Sequence, residues 1–96
     1  MSDELLDESV QITHVAIKYD SKTYSLPAPN RHHDVIRMIA FINGEGIKGP
    51  DVQGFMTEHN QFLNRKEAFA LASVNGQLKR GPGGYQGNQL FSEDLW

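Results

Sequence analysis

Val10-Gln-Ile-Thr-His-Val-Ala-Ile-Lys-Tyr19, followed by Asp20-Ser-Lys22 and Thr23-Tyr-Ser-Leu26, decides the fold class of this chain. Val15, Ile17 and Tyr19 alternate with Ala16 and Lys18, and β-branched residues are frequent, so the stretch reads as a strand. Residues 20–22 are turn-like, and residues 23–26 return as the second strand of a hairpin. Pro27 and Pro29 then end the pairing, because proline cannot donate to a ladder. Asn30 is the expected N-cap of a helix over residues 31–43, in which Val35, Ile36, Ile39 and Ile42 form one apolar stripe. Asn43-Gly44 is a natural stop.

The pattern then recurs. Residues 45–53 hold Gly46, Gly49 and Pro50 and read as a loop. Gly54-Phe-Met-Thr57, a turn at Glu58-His-Asn-Gln61 and Phe62-Leu63 make a second, tight hairpin. Asn64 starts a second helix, with Glu67 three residues on as a capping box, and Ala68, Leu71 and Ala72 give it a narrow apolar stripe ending at Gly76. Residues 81–87 are glycine-rich, and Leu90-Phe91 resumes apolar character before Ser92-Glu-Asp-Leu-Trp96, a tail expected to dock. The expectation is an α+β domain over residues 10–96: a small antiparallel sheet from two hairpins, two α-helices and a docked C-terminal tail. Residues 1–9, with four acids and no base, form an acidic flexible leader in this reading.

Composition narrows the function. At 96 residues the core is thin, which makes self-association an economical source of buried area. No cysteine is present, so disulfides, thiolate metal sites and cysteine nucleophiles drop out, as suits a cytosolic protein. The longest apolar run, Met38-Ile-Ala-Phe-Ile42, is far short of the roughly 20 residues of a membrane span, and the acidic N-terminus is unlike a signal peptide. A net charge of −3, concentrated in residues 1–9, speaks against coating double-stranded nucleic acid.

Enzyme motifs fail one by one. Gly81-Pro-Gly-Gly-Tyr-Gln-Gly87 lacks the Gly-Lys-Ser/Thr of a phosphate loop and carries Gln86 where a dinucleotide fingerprint needs glycine. His14, His32, His33 and His59 offer no metal-ligand spacing, since adjacent His32 and His33 point about 100° apart on a helix and zinc wants three or four converging ligands. Ser92 has no nucleophile elbow around it, and Glu93-Asp94 reads as a solvated or arginine-bonded pair. What remains is Arg31-His-His-Asp34 and Asn64-Arg-Lys-Glu67, basic residues at both helix starts. Such residues are electrostatically unhelpful to a helix there, so they point to a bound anion or a nearby acidic tail. Arginine can fork onto phosphate, and Phe55 or Tyr85 could stack on a base.

Arg31-His32 opening a helix, Gly54-Phe-Met-Thr57, Phe62-Leu-Asn-Arg-Lys-Glu-Ala68, Gly76-Gln77 and the closing Leu90-Phe-Ser-Glu-Asp-Leu-Trp96 together resemble the first-described phage Thoeris anti-defence family, over about residues 10–96. The resemblance implies an α+β fold in dimers or trimers of dimers. It also implies sequestration, without cleavage, of glycocyclic ADP-ribose, with cyclic oligonucleotides held at a separate intersubunit site in some members. Matching residue by residue, it places ligand contacts at Arg31, His32, Phe55, Asn64, Arg65, Ser92, Glu93 and Asp94. Arg31 and Arg65 would hold phosphates, Phe55 would pack or stack, and the tail acids would meet ribose hydroxyls or orient the arginines. The glycine-rich residues 81–87 and the acidic leader depart from the pattern. The expectation is a non-enzymatic, oligomeric cyclic-nucleotide sponge in the cytoplasm of an infected host, needing no metal, cofactor or membrane. The alternative is a protein–protein inhibitor of a host defence complex, of the anti-CRISPR kind.

Overall fold

The computed structural model describes residues 9–79 and 89–96. The acidic leader, apart from Ser9, and the glycine-rich stretch with Tyr85 lie outside the described residues. Strands β1 (Ile12–Tyr19) and β2 (Lys22–Pro27) form the first hairpin, followed by helix α1 (His32–Asn43). Strands β3 (Asp51–Thr57) and β4 (Phe62–Asn64) form the second, followed by helix α2 (Arg65–Asn75) and a 3-10 turn at Ser92–Asp94. The sheet is antiparallel throughout, in the order β2-β1-β3-β4, so the first strands of the two hairpins meet at its centre.

Both helices pack on one face of this sheet, α1 against β1 and β2, α2 against β3 and β4. Val15, Ile17, Phe55 and Leu63 meet Val35 and Ile39 from α1 and Ala68, Leu71 and Ala72 from α2 in one core. The alanines that made the second stripe narrow let α2 sit close to the sheet. Ile12 and Val15 are three apart yet both lie in the core, which strict alternation forbids. A register shift between Ile12 and His14 reconciles them, the extra residue returning Ile12 to the helix-facing side.

Element boundaries differ from the sequence expectation in places: β1 starts at Ile12 rather than Val10, and Pro27, expected to end the pairing, is the last residue of β2 opposite His14. β3 begins at Asp51 rather than Gly54, because the long β1 offers Ile17, Lys18 and Tyr19 as partners to Gln53, Val52 and Asp51. Pro50 sits one residue before that strand, where a missing N–H costs nothing. The N-cap of α1 is Arg31, not Asn30: the Asp34 carboxylate accepts the Arg31 N–H at 2.8 Å, while the Asn30 side-chain amide donates to the Pro27 carbonyl. At α2 the expected box is present, Asn64 Oδ1 accepting from the Glu67 N–H at 2.8 Å and Glu67 Oε1 from the Asn64 N–H at 2.9 Å. Gly44 and Gly76 close the two helices in the left-handed conformation, with φ of 77° and 82°.

Gly54 lies where β1, β3 and β4 come together, paired with Ala16 and Asn64. A Cβ there would collide with the Leu63 carbonyl oxygen and come within 2.7 Å of the Phe62 ring. The oxygen is backbone and cannot swing away, so Gly54→Ala is expected to lower stability by about 2 kcal/mol or more, read as a drop in the urea midpoint.

The tail closes the layer. Leu90 is fully buried, Leu95 and Trp96 pack against the core, and the Trp96 indole N–H donates to the Asn30 carbonyl at 2.9 Å.

Candidate functional site

The two helix starts lie at the same end of the helical layer, and the C-terminal tail runs between them. At the α2 start the Leu90 N–H donates to the Arg65 carbonyl at 3.0 Å, and Arg65 Nη1 returns a bond to the Leu90 carbonyl at 2.7 Å. Near the α1 start Trp96 is tied to Asn30, and Arg31 Nη1 lies 3.5 Å from Ser92 Oγ. The result is a groove of about 470 Å³ lined by Arg31, His32, His33, Arg65, Phe91, Ser92 and Glu93. Residues more than 60 positions apart in the chain thus share one wall.

Arg65 is the most constrained of these side chains. Its second terminal nitrogen donates to Gln53 Oε1 at 2.5 Å, and its guanidinium carbon stands 4.4 Å over the Phe91 ring. Burial lowers its pKa from the ordinary arginine range, and the Glu93 and Asp94 carboxylates oppose that shift. It stays cationic at neutral pH, partly stripped of water and held in one place with further N–H groups to offer. Such a guanidinium is pre-organised for a fork-shaped acceptor such as phosphate. Glu93 lies on the opposite side of the charge balance. A backbone hydrogen bond first, then the Ser92 hydroxyl, Arg31 and Arg65 hold its carboxyl below the usual range despite partial desolvation.

His32 has a positioning role. It is 8% exposed, its Nε2 lies 2.7 Å from the Gly54 carbonyl, and its ring meets Phe55 edge-on at 5.0 Å. The carbonyl can only accept, so Nε2 carries the proton. Burial is the main cause that lowers the His32 pKa below 6.5, with Arg65 adding to it against the Gly54 bond and Glu93. A histidine held neutral in the fold must gain its proton on unfolding. Stability linked to His32 is therefore complete above the unfolded value, about 6.5, and is lost as pH falls below it toward the folded pKa. Urea midpoints taken between pH 7.5 and 5.5 should fall for the parent chain and fall less for His32→Gln.

The eight residues expected from sequence divide in position. Arg31, His32, Arg65, Ser92 and Glu93 come together in the groove. Phe55 is 0% exposed beneath His32, so it packs and presents no face on which a base could stack. Asn64 is engaged in its cap and lines an adjacent groove of about 540 Å³ with Asp51, Val52, Gln53, Arg65, Lys66 and Gln89. Asp94 turns inward on the tail, its carboxylate accepting the Phe91 N–H at 3.0 Å and its carbonyl the Lys79 N–H. Sequence reasoning assigned no site role to Phe91 in the arginine groove, or to Asp51, Val52, Gln53 and Gln89 in the adjacent one; His33 and Lys66 entered it only as members of the basic helix starts. Of the residues given no role, Phe91 carried a signal, as an aromatic beside the tail acids. Among the described residues, no three histidine or acidic side chains converge as metal ligands.

The fold and the groove define a small two-layer α+β protein with paired arginines at the mouth of a cleft closed by its own C-terminus. This chain belongs to the Phage T4 y16D protein family, whose model matches residues 11–96. No curated protein and no solved structure matches it. No helix among the described residues is long and apolar enough to cross a membrane.

Proposed function

We propose that this phage-family protein binds a cyclic nucleotide immune signal and sequesters it intact, acting in the cytoplasm of the infected host as a homo-oligomer. The observation that carries the reading is the pair Arg31 and Arg65 in one groove, with Arg65 partly desolvated and fixed by Leu90, Gln53 and Phe91. Sequestration asks for tight binding of an anion and no chemistry, so arginines placed by a rigid fold suffice. A groove of about 470 Å³ is of the size that encloses a small ligand. Arg31 and Arg65 would take phosphate oxygens, and Glu93, beside both, would accept from a ribose hydroxyl or hold the arginines apart. The resemblance to the Thoeris anti-defence family names glycocyclic ADP-ribose or a cyclic oligonucleotide as the ligand.

A thermal-shift screen against cyclic ADP-ribose isomers and cyclic di- and trinucleotides tests this. A stabilising nucleotide that mass spectrometry recovers intact after heat denaturation is the expected result. Recovered fragments would make the protein an enzyme, and no shift with any nucleotide would overturn the reading. Phe41 and Ile42, side by side on α1 and 89% and 58% exposed, favour the second reading, a protein–protein inhibitor of host defence. That reading expects a stable complex with a host protein and indifference to nucleotides.

A further inference from the structure

The adjacent groove shares Arg65 with the arginine groove, so one ligand can touch both. Its side chains lean toward donors, with Gln89 able to offer either kind of group. A guanidinium only donates, so the bond from Arg65 commits the Gln53 side-chain oxygen and leaves its NH₂ for the groove. The Glu67 backbone N–H likewise commits the Asn64 side-chain oxygen and leaves that NH₂. Lys66 adds three N–H donors, and it is exposed. Against these donors stands one anionic acceptor, the exposed carboxylate of Asp51 on β3.

This set discriminates among acceptor-rich groups. A second phosphate would find the donors but would also face the Asp51 carboxylate. A lactam edge, a ring C=O beside a ring N–H, satisfies both kinds of group at once. Guanine suits it best, because its O6 accepts from Lys66 and Gln53 while its N1–H and 2-amino group can fork onto one carboxylate. Adenine presents an amine and an unprotonated ring nitrogen at the same places, which leaves Asp51 with one donor at most and sets an NH₂ against the other donors.

We infer that the groove between Asp51, Gln53 and Lys66 reads the lactam edge of a guanine-type base whose phosphate lies on Arg65 and Arg31. The inference rests on the nucleotide-binding reading and deepens it, by naming the base that the same ligand carries. Isothermal titration with three probes tests it: cyclic di-GMP, cyclic di-AMP and inorganic pyrophosphate. Cyclic di-GMP is expected to bind at least about tenfold more tightly than cyclic di-AMP, the scale of one good bidentate contact to a base. In Asp51→Asn that preference should shrink to about twofold or less, because the amide is uncharged and keeps one acceptor oxygen while its NH₂ meets a guanine N–H, donor against donor; pyrophosphate affinity should not fall. Asp51 is exposed, and circular dichroism of the variant would establish that it is folded.

If pyrophosphate binds but the two cyclic dinucleotides bind equally, the base assignment is overturned and the phosphate groove stands. An unchanged preference in Asp51→Asn overturns it as well. If neither pyrophosphate nor either dinucleotide binds, the nucleotide-binding reading falls and takes this inference with it.

Discussion

Arg65→Glu is expected to abolish nucleotide binding, with Kd raised by more than about a hundredfold at moderate salt. Two changes add. The variant loses a charge-assisted fork, for which about 2–3 kcal/mol is ordinary, and places a carboxylate beside Glu93 where a phosphate must sit. The guanidinium also holds the tail through the Leu90 carbonyl and β3 through Gln53, so some loss of stability is expected. Arg65→Lys separates the two effects. Lysine keeps the charge but cannot make two divergent bonds and stack on Phe91 together, so affinity should fall about tenfold while unfolding moves little. Arg31→Ala is the complement. Its contact to Ser92 is long at 3.5 Å, so removing it should weaken binding and leave the fold intact. Titration calorimetry beside urea unfolding for all three variants checks the set. Unchanged affinity in Arg65→Glu would remove this residue from the site.

The pattern of elements was legible because each hairpin and helix announces itself within a dozen residues. Alternation at Val15, Ile17 and Tyr19, the Asn64–Glu67 box and the glycines at 44 and 76 are local signals, and local hydrogen bonds make them. The start of β3 had a non-local cause, whereas the cap of α1 was decided by local competition. Asp51–Gln53 is extended because β1 lies alongside, and no residue between 45 and 53 advertises that partner. Asn30 has the right chemistry for a cap, yet the Pro27 carbonyl takes its side-chain amide, and Asp34 satisfies the helix start from inside.

Site residues follow the same division. Basic residues at two helix starts are visible in the sequence as an electrostatic oddity, but their meeting in one groove depends on the tail, more than 20 residues from either. Phe55 shows the limit from the other side. An aromatic in a strand reads equally as core or as stacking platform, and only the layer on top of it, His32 at 5.0 Å, decides for the core. Gln53 is mute in sequence because a glutamine's role depends on which neighbour commits its oxygen, here an arginine 12 residues away.

Leu90→Ala should be the most damaging single truncation in the tail, lowering stability by about 2–5 kcal/mol, a large share of what a domain of this size possesses. Leu90 is fully buried, and both of its backbone groups are bonded to Arg65, so its side chain and main chain fasten the tail to the same point. Shrinking the side chain leaves a cavity under the groove and weakens the contact that makes the wall of Phe91, Ser92 and Glu93. Two consequences are separable by experiment. Trp96 is the only tryptophan in the chain, so its emission reports the docking of the tail itself. In the variant its red shift should come at lower urea than the loss of far-ultraviolet ellipticity, the tail releasing before the sheet melts. Nucleotide affinity should track the docked fraction, since Arg65 without the Leu90 carbonyl and Phe91 is an ordinary mobile surface arginine. A saturating ligand should then restore the Trp96 signal, binding to the docked state at the expense of the released one. Coincident fluorescence and ellipticity transitions, with affinity unchanged in the folded variant, would show that the tail is core alone and that the groove does not depend on it.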